Sequence, residues 1–449
     1  MTEEQEKNTP LWSWSELTQA LNLKNDTASA NVHRVIVDSR QARPGDLFVA
    51  LSGDPGPRFN PSTVSDRDGH DFLEDAISKG GSACLVDRKV KLGSPVLKVD
   101  NTYDGLWDIA KAARKRLSGP VIGVTGSSGK TTFKNFLVAG SQGYGSPASF
   151  NNHIGVPLSL ANAPRAKTKT FTFEIGTNHP GEIEPLTRLV RPDIAVLLNV
   201  HQAHIGNFNS LAELRAEKLE IAKSQDPNTL FVCEKSVIDH VHGNVYSFGK
   251  TQDCDAHITF LKDQHMEISI FGEKFKANLP GGGEHRALTL SAVLLTQKLL
   301  DLDLSASLSL TSKSIPRGRG NRSSISGIDI IDDSYNANPQ SMSAALEAFL
   351  HQRLLGRRII VLGEMLELGD STKEGHEKVA KYFSAFDKVF TVGDGFRLTP
   401  GSQWYPTVDK AVLKEIADFL RPGDSILIKG SNRIFWVRGF VEELIELLS

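Results

Sequence analysis

The run Gly123-Val124-Thr125-Gly126-Ser127-Ser128-Gly129-Lys130-Thr131-Thr132 concentrates the first chemistry in the chain. Glycines let backbone N–H groups close around phosphate oxygens, and a helix starting here turns its positive dipole end toward them. A lysine at 130 can reach β- and γ-phosphates, and a hydroxyl at 131 can ligate Mg²⁺. Gly126, Ser127, Ser128, Gly129, Lys130, Thr131 and Thr132 therefore form the candidate nucleotide cradle. The usual consensus has a glycine where Val124 stands, and here the glycine lies at 123. A loop of this kind specifies a nucleotide but not a reaction, because switches, motors and kinases use it too.

Three further groups could act beside it. Glu174 closes the alternating run Thr170-Phe171-Thr172-Phe173-Glu174-Ile175 before Gly176. It falls at a strand's carboxyl end, where open α/β sheets place ligands and a carboxylate can hold Mg²⁺. The apolar run 194–200 delivers His201-Gln202-Ala203-His204 to the same edge. These histidines read either as hydrogen-bonded loop residues or as metal ligands. Ser210-Leu211-Ala212-Glu213 has the form of a capping box opening a helix. Leu211, Leu214, Ile221 and Ala222 fall on one stripe of that helix, with Lys218 near its centre. Such a lysine either snorkels to solvent or is pinned on the buried side, where desolvation favours the neutral amine and opens covalent chemistry.

These groups need a scaffold of strands ending at one edge. Val121-Ile122-Gly123-Val124 reads as a buried strand running into the glycine-rich turn and a helix. The stretch from Tyr103 to Leu117 has helical spacing, and Ser118-Gly119-Pro120 ends it. Short apolar runs at 35–37, 46–51 and 83–86 precede it, separated by a Pro-, Asp- and Gly-rich loop at 53–69. A second βα series follows the break at Ile315-Pro316-Arg317-Gly318-Arg319-Gly320, with strands expected at 328–331, 358–362, 388–392 and 425–429. The alternation predicts an α/β chain with mostly parallel, doubly wound sheets. Three domains are expected, at 1–100, 101–313 and 314–449, a number that suits 449 residues.

The composition sets limits. Hydrophobic residues make up 39% and charged residues 23%, as in globular proteins, and the net charge of −2 gives no global pull toward nucleic acid or an anionic membrane. Cys84, Cys233 and Cys254 lack metal-ligand spacing and read as reduced thiols. The acidic, polar start does not resemble a secretory signal, and no apolar run approaches a membrane span. A cytoplasmic, monomeric enzyme is expected.

Several segments together resemble the Mur ligase family, over about 38–430. Asp38-Ser39-Arg40, the run 44–51 and Gly69-His70-Asp71-Phe72 resemble its UDP-sugar-binding domain. Phe150-Asn151-Asn152-His153-Ile154-Gly155-Val156-Pro157 resembles the segment beside nucleotide and sugar. Glu174-Ile175-Gly176 through Gly181-Glu182-Ile183 looks like the Mg²⁺-binding strand end and the loop after it. Gly318-Arg319, Asp332-Asp333-Ser334-Tyr335-Asn336-Ala337-Asn338-Pro339, the run 363–369, His376 and Lys429-Gly430-Ser431 are similar to motifs of its C-terminal domain, which is Rossmann-like. The run after the paired aspartates is the most specific, and it points to the family branch that adds D-alanyl-D-alanine. The family's Gly-x-His-Asn segment, with a second asparagine three residues on, reads Gly283-Glu284-His285-Arg286-Ala287-Leu288-Thr289 here, with both asparagines replaced.

The resemblance implies an ATP-dependent ligase that joins D-alanyl-D-alanine to UDP-N-acetylmuramoyl-tripeptide through an acyl phosphate. It implies two Mg²⁺ ions held by Thr131, Glu174, His204 and Lys218, the last as a CO₂-derived carbamate. Lys130, Lys218, His204 and Arg319 are the implied catalytic groups, with Arg319 and Asp333 also at the nucleotide. Asp38, Ser39, Arg40, His70, Asn151 and Asn152 fall to the UDP-substrate side, and Asn336 and Asn338 to the dipeptide or the junction. A sister muramoyl or folylpolyglutamate-type ligase, and a phosphate-loop switch or transport ATPase, are the alternative readings.

Overall fold

A computed structural model of the chain describes residues 9–24, 29–56, 66–201, 205–223, 226–241, 243–352, 354, 356–397 and 399–449. His204 lies outside them, as does most of the loop expected at 53–69. Among the described residues the strands form sheets of four, nine and six in sequence order, with a two-stranded ribbon of Trp12–Ser13 and Asn31–Val32 beside the first. The four-stranded sheet (Arg34–Ile36, Asp46–Val49, Ala83–Val86, Val96–Lys98) is parallel throughout.

The nine-stranded sheet carries the phosphate loop. Val121–Thr125 lies between Ile194–Leu197 and Phe171–Glu174, both parallel to it. Thr172 and Phe173 sit opposite Ile122 and Gly123, and Val196 opposite Val124, so all three strands end at one edge. The chain leaves Val121–Thr125 toward one side and returns on the other, which makes this edge the topological switch point where open α/β sheets bind ligands. Both faces are covered. Phe133, Phe136 and Leu137 of the helix Lys130–Ser141 pack in one core with Leu290, Val293 and Leu294 of the helix Glu284–Leu299. On the other face, the helices Thr102–Arg116, Gly155–Ala161 and Ile183–Val190 pack in a core that also holds Trp12, Val35 and Leu47 from the first hundred residues. Truncating Phe133 or Phe136, both fully buried, would cost about 3–5 kcal/mol.

That shared core fastens the N-terminal sheet to the nucleotide sheet. The Asn162 side chain completes the join by accepting from Val35 N and donating to Val35 O, each at 2.8 Å. The far end of the nine-stranded sheet is an antiparallel meander, Ala256–Lys262, His265–Ile270 and Glu273–Asn278. This meander departs from the expected βα alternation, its strands being joined by tight turns rather than helices.

In the six-stranded sheet the order is Asn321–Ile325, Ile328–Asp333, Ser425–Lys429, Arg358–Gly363, Lys388–Val392 and Gln403–Tyr405. Only its first pairing is antiparallel. All three cysteines are free and buried, and burial pushes the thiols of Cys84 and Cys233 up to about 12. No helix among the described residues is long and apolar enough to cross a membrane.

Candidate active site

The turn after Val121–Thr125 depends on Gly129, which takes φ +85° as the N-cap of the helix Lys130–Ser141. Asn199 and His201, just past the neighbouring strand, fix the loop from the side. Ser127 N donates to Asn199 O (3.1 Å), Ser128 N donates to Asn199 Oδ1 (3.0 Å), and Ser127 Oγ donates to His201 O (2.9 Å). His201 thus serves through its backbone, and burial lowers the pKa of its ring.

Lys130 bends back over the loop and donates to Gly126 O at 2.6 Å. Burial lowers its ammonium to about 8, with Glu174 raising it and Arg319 lowering it. An amine held there by a single carbonyl can be recruited by an arriving phosphate. Thr132 is buried behind the turn.

Thr131 Oγ1 donates to Glu174 Oε2 at 3.0 Å and lies 2.9 Å from Ser149 Oγ. Glu174 is fully buried, and its Oε1 has no hydrogen-bond donor in good geometry. Lys134 Nζ nevertheless stands 3.0 Å from that oxygen as an ion pair, while donating to Ser146 O (2.7 Å) and Ala148 O. A buried carboxylate beside a threonine hydroxyl is an oxygen donor set of the type Mg²⁺ prefers, with substrate phosphates supplying further ligands and Lys134 paired to one carboxylate oxygen. The residues present fit that ion. Among the described residues no group of three His, Cys, Asp or Glu side chains forms a self-sufficient metal cage.

Lys218 lies on the helix Leu211–Leu219, buried with Leu214 and Glu217. The capping box is half formed: Ser210 Oγ accepts from Glu213 N at 3.1 Å, but the Glu213 carboxylate takes Asn209 N at 2.6 Å. Lys218 is 1% exposed. Burial first, and then the charge of Lys130, lowers its amine to about 7, against an opposing pull from Glu217. The snorkelling alternative is therefore excluded. Glu217 is engaged elsewhere, since its carboxylate accepts from the backbone N–H groups of Gly181, Glu182 and Ile183 at 2.7–3.0 Å and caps the helix Ile183–Val190.

Arg319 comes from the segment beyond residue 313, and its Nη2 donates to Ser149 Oγ at 3.0 Å while the guanidinium stacks 4.3 Å over Tyr335. A chain of contacts thus runs Arg319, Ser149, Thr131, Glu174, Lys134 across two sheets. Asp333 ion-pairs with Lys429 at 2.8 Å, and Lys429 also donates to Asn336 O at 3.0 Å. Asp332 accepts from Ser334 N and Gly318 N, both at 3.1 Å.

The remaining predicted residues divide by location. Asn151 packs against Gly176 at the strand end, and its carbonyl accepts from Gly176 N at 2.7 Å. Asn152 Oδ1 accepts from Gly155 N at 2.8 Å and Asn338 Oδ1 from Ser341 N at 2.8 Å. Both amide oxygens are occupied at helix starts. Asn336 Oδ1 accepts from Ala337 N at 2.9 Å. On the N-terminal sheet Asp38 and Arg40 form a bidentate pair, Ser39 is buried, and His70 sits between Asp68 (2.6 Å) and Asp87 (3.2 Å). Among the described residues no hydrogen bond or ion pair joins this group to the phosphate-loop cluster. Lys134, Ser149, Asn199 and Glu217 were not singled out from sequence. Lys134 had one usable signal, its place one helical turn after Lys130.

Two family descriptions match the chain: "Mur ligase middle domain" over residues 124–296 and "Mur ligase, glutamate ligase domain" over 318–432. The UDP-N-acetylmuramoyl-tripeptide–D-alanyl-D-alanine ligase of Rickettsia prowazekii is 31% identical, over 94% of this chain and 98% of its own length. The protein of that name from Bacillus subtilis is also 31% identical, over 92% and 93%. Among solved structures, MurF from Acinetobacter baumannii superposes with a TM-score of 0.80 at 25% identity, covering 97% of this chain and all of that one. MurF ligase from Thermotoga maritima in complex with ADP gives 0.75 at 28% identity, covering 92% and 97%.

Proposed function

The chain belongs to the Mur ligase family, and on that premise we propose that it joins D-alanyl-D-alanine to UDP-N-acetylmuramoyl-tripeptide at the expense of ATP, in the synthesis of peptidoglycan precursors. The observation that carries the reading is the convergence of Arg319 with the Thr131–Glu174 pair across two sheets. A reaction that must shield an activated acid from water benefits from a site completed by a second domain. We assign the UDP-binding, ATP-binding and C-terminal domains to 1–100, 101–313 and 314–449. The nucleotide substrates and reduced thiols suit the cytoplasm, and a single chain supplies every group invoked.

Amide formation from a carboxylate is uphill in water, so the acid is first activated. A carboxylate oxygen of the tripeptide attacks the γ-phosphorus, and ADP leaves. The amine of the dipeptide then attacks the acyl carbon, and phosphate departs with that oxygen. Lys130 leaves Gly126 O for the β- and γ-phosphates, and the loop N–H groups hold the rest of the chain of phosphates. Thr131 and Glu174 would hold one Mg²⁺, and His204 with a carbamate on Lys218 a second. The ions supply charge neutralisation between the carboxylate and the triphosphate. Asp333 and Arg319 approach the nucleotide from the C-terminal side. Asn151 and Asn152 face the sugar and peptide, Asn336 and Asn338 the dipeptide, and Asp38, Ser39, Arg40 and His70 the uridine nucleotide.

Arg319 acts on the transferring phosphate, so Arg319→Ala should lower kcat about ten- to a hundredfold, the worth of one charge-assisted hydrogen bond. The KM for the UDP-substrate should change little. A steady-state analysis showing unchanged kcat with a raised KM would place Arg319 in substrate recognition instead. The reaction itself is tested by ATP turnover, which should depend on both the UDP-tripeptide and the dipeptide. Equal turnover without them would make the chain a simple ATPase.

A further inference from the structure

Arg286 stands where the family pattern has asparagine, at the start of the helix Glu284–Leu299. It is only 9% exposed, and an arginine so placed must find partners for its donors. Nη1 donates to Gly281 O (3.0 Å) and Gly282 O (3.2 Å), which belong to the turn before its own helix. Nη2 donates to Arg319 O at 3.0 Å, across the junction between the nucleotide sheet and the C-terminal sheet. The guanidinium packs against Gly320, where an added Cβ would fall 2.0 Å from Nη2 and where φ is +85°.

The same turn is held from the opposite side. Gly318 N donates to Asn321 Oδ1 (2.8 Å) as well as to Asp332, and Gly320 N donates to Asp332 O (2.6 Å). Residues 318–320 are thus gripped by Asp332 from their own domain and by Arg286 from the other. Between those two grips projects the Arg319 side chain, which reaches Ser149. The helix that bears Arg286 is also packed on the phosphate-loop helix, and Thr289 lies beside Gly129.

We infer that Arg286 is a positioning residue, which fixes the main chain of Arg319 against the nucleotide domain and so sets the reach of the Arg319 guanidinium into the phosphate site. The inference rests on the proposed ligase reading of Arg319. The three acceptors of Arg286 are main-chain carbonyls of two segments, so its task is to join them. The planar fork offers its donors to both segments in fixed directions, whereas a lysine's single ammonium would reach them with less rigid geometry.

The test is a double-mutant cycle of Arg286→Ala and Arg319→Ala, with kcat and KM measured for ATP and the UDP-substrate. Arg286→Ala should lower kcat about tenfold, the scale of a misplaced catalytic group, and leave both KM values within about twofold. In the Arg319→Ala background the same substitution should cost nothing further, because the group it positions is gone. Arg286→Lys should lose less than Arg286→Ala and show the same dependence on Arg319, and it carries the test if the alanine variant does not fold. Equal losses from Arg286→Ala in both backgrounds would overturn the inference, as would no loss in either. If Arg319→Ala itself leaves kcat unchanged, the reading of Arg319 fails and the inference falls with it. If Arg319→Ala is slow but Arg286→Ala is not, only the inference fails.

Discussion

Replacing Lys130 by alanine should reduce ligation roughly 10²–10³-fold, the usual consequence of losing one preorganised group at a centre where charge is transferred. In the structure the ammonium sits over the loop on one carbonyl contact, 2.6 Å from Gly126 O, so it can be drawn onto phosphate without dismantling a network. Its truncation removes no core contact and should leave the melting temperature near that of the parent. The variant should still bind the UDP-substrate, whose assigned residues lie on the N-terminal side. Ligation within about twofold of the parent, in a variant that still binds nucleotide, would show that the loop does not act on transferring phosphate.

The second large effect concerns Lys218. Removing it should cost about 10²-fold or more in rate, as loss of a metal-supporting group commonly does. Acetate or formate should restore part of that by supplying carboxylate oxygens in the vacated space. The amine is buried, and burial with the nearby charge of Lys130 brings it to about 7. Only the neutral amine attacks CO₂: a new N–C bond forms, one C=O bond opens to an anionic oxygen, and the nitrogen loses a proton. Carbamate formation should therefore weaken as pH falls through about 7, and bicarbonate should rescue a CO₂-stripped preparation best above it. The stability sign runs in the same direction. An unfolded lysine takes up its proton below its ordinary value, near 10.4, while this one resists until about 7. Burying the free amine thus costs progressively more stability as pH falls across that window, and Lys218→Ala should not melt earlier than the CO₂-stripped parent at neutral pH. A flat response to acetate together with near-parent activity would rule out the carbamate.

Features set by local spacing were legible in the sequence. The phosphate loop and the strand-end position of Glu174 each depend on residues a few places apart, and each lies where that spacing implies. The stripe around Lys218 holds in part: Leu214 and Lys218 are buried on the helix Leu211–Leu219, while Ile221 and Ala222 follow its end in a 3-10 turn. The proline- and glycine-bearing run 315–320 likewise directly precedes the first strand of the six-stranded sheet, Asn321–Ile325. What could not be read were contacts joining distant positions. Ser149 links residues 131 and 319, and Arg286 was visible only as a missing asparagine, since its partner carbonyl lies at 319. Asn338-Pro339 carries a helix-start signal, an N-cap residue followed by proline, beside the ligand contact that the family resemblance implies. The meander 256–278 also left a trace, since Met266, Ile268 and Ile270 alternate on its buried face before the Phe271-Gly272 turn. His204 lies outside the described residues, so its part in a metal site is an inference from its place in the motif.

The most direct test of the account follows one oxygen atom. The acceptor carboxylate of UDP-N-acetylmuramoyl-tripeptide would be labelled with ¹⁸O and incubated with the protein, ATP, Mg²⁺ and D-alanyl-D-alanine. Mass spectrometry would then be applied to the phosphate and the UDP-linked product together. Activation through an acyl phosphate predicts that each amide formed is matched by one ADP and by one phosphate carrying a single labelled oxygen. Unlabelled phosphate, or phosphate released at the same rate with no amide product, would contradict it.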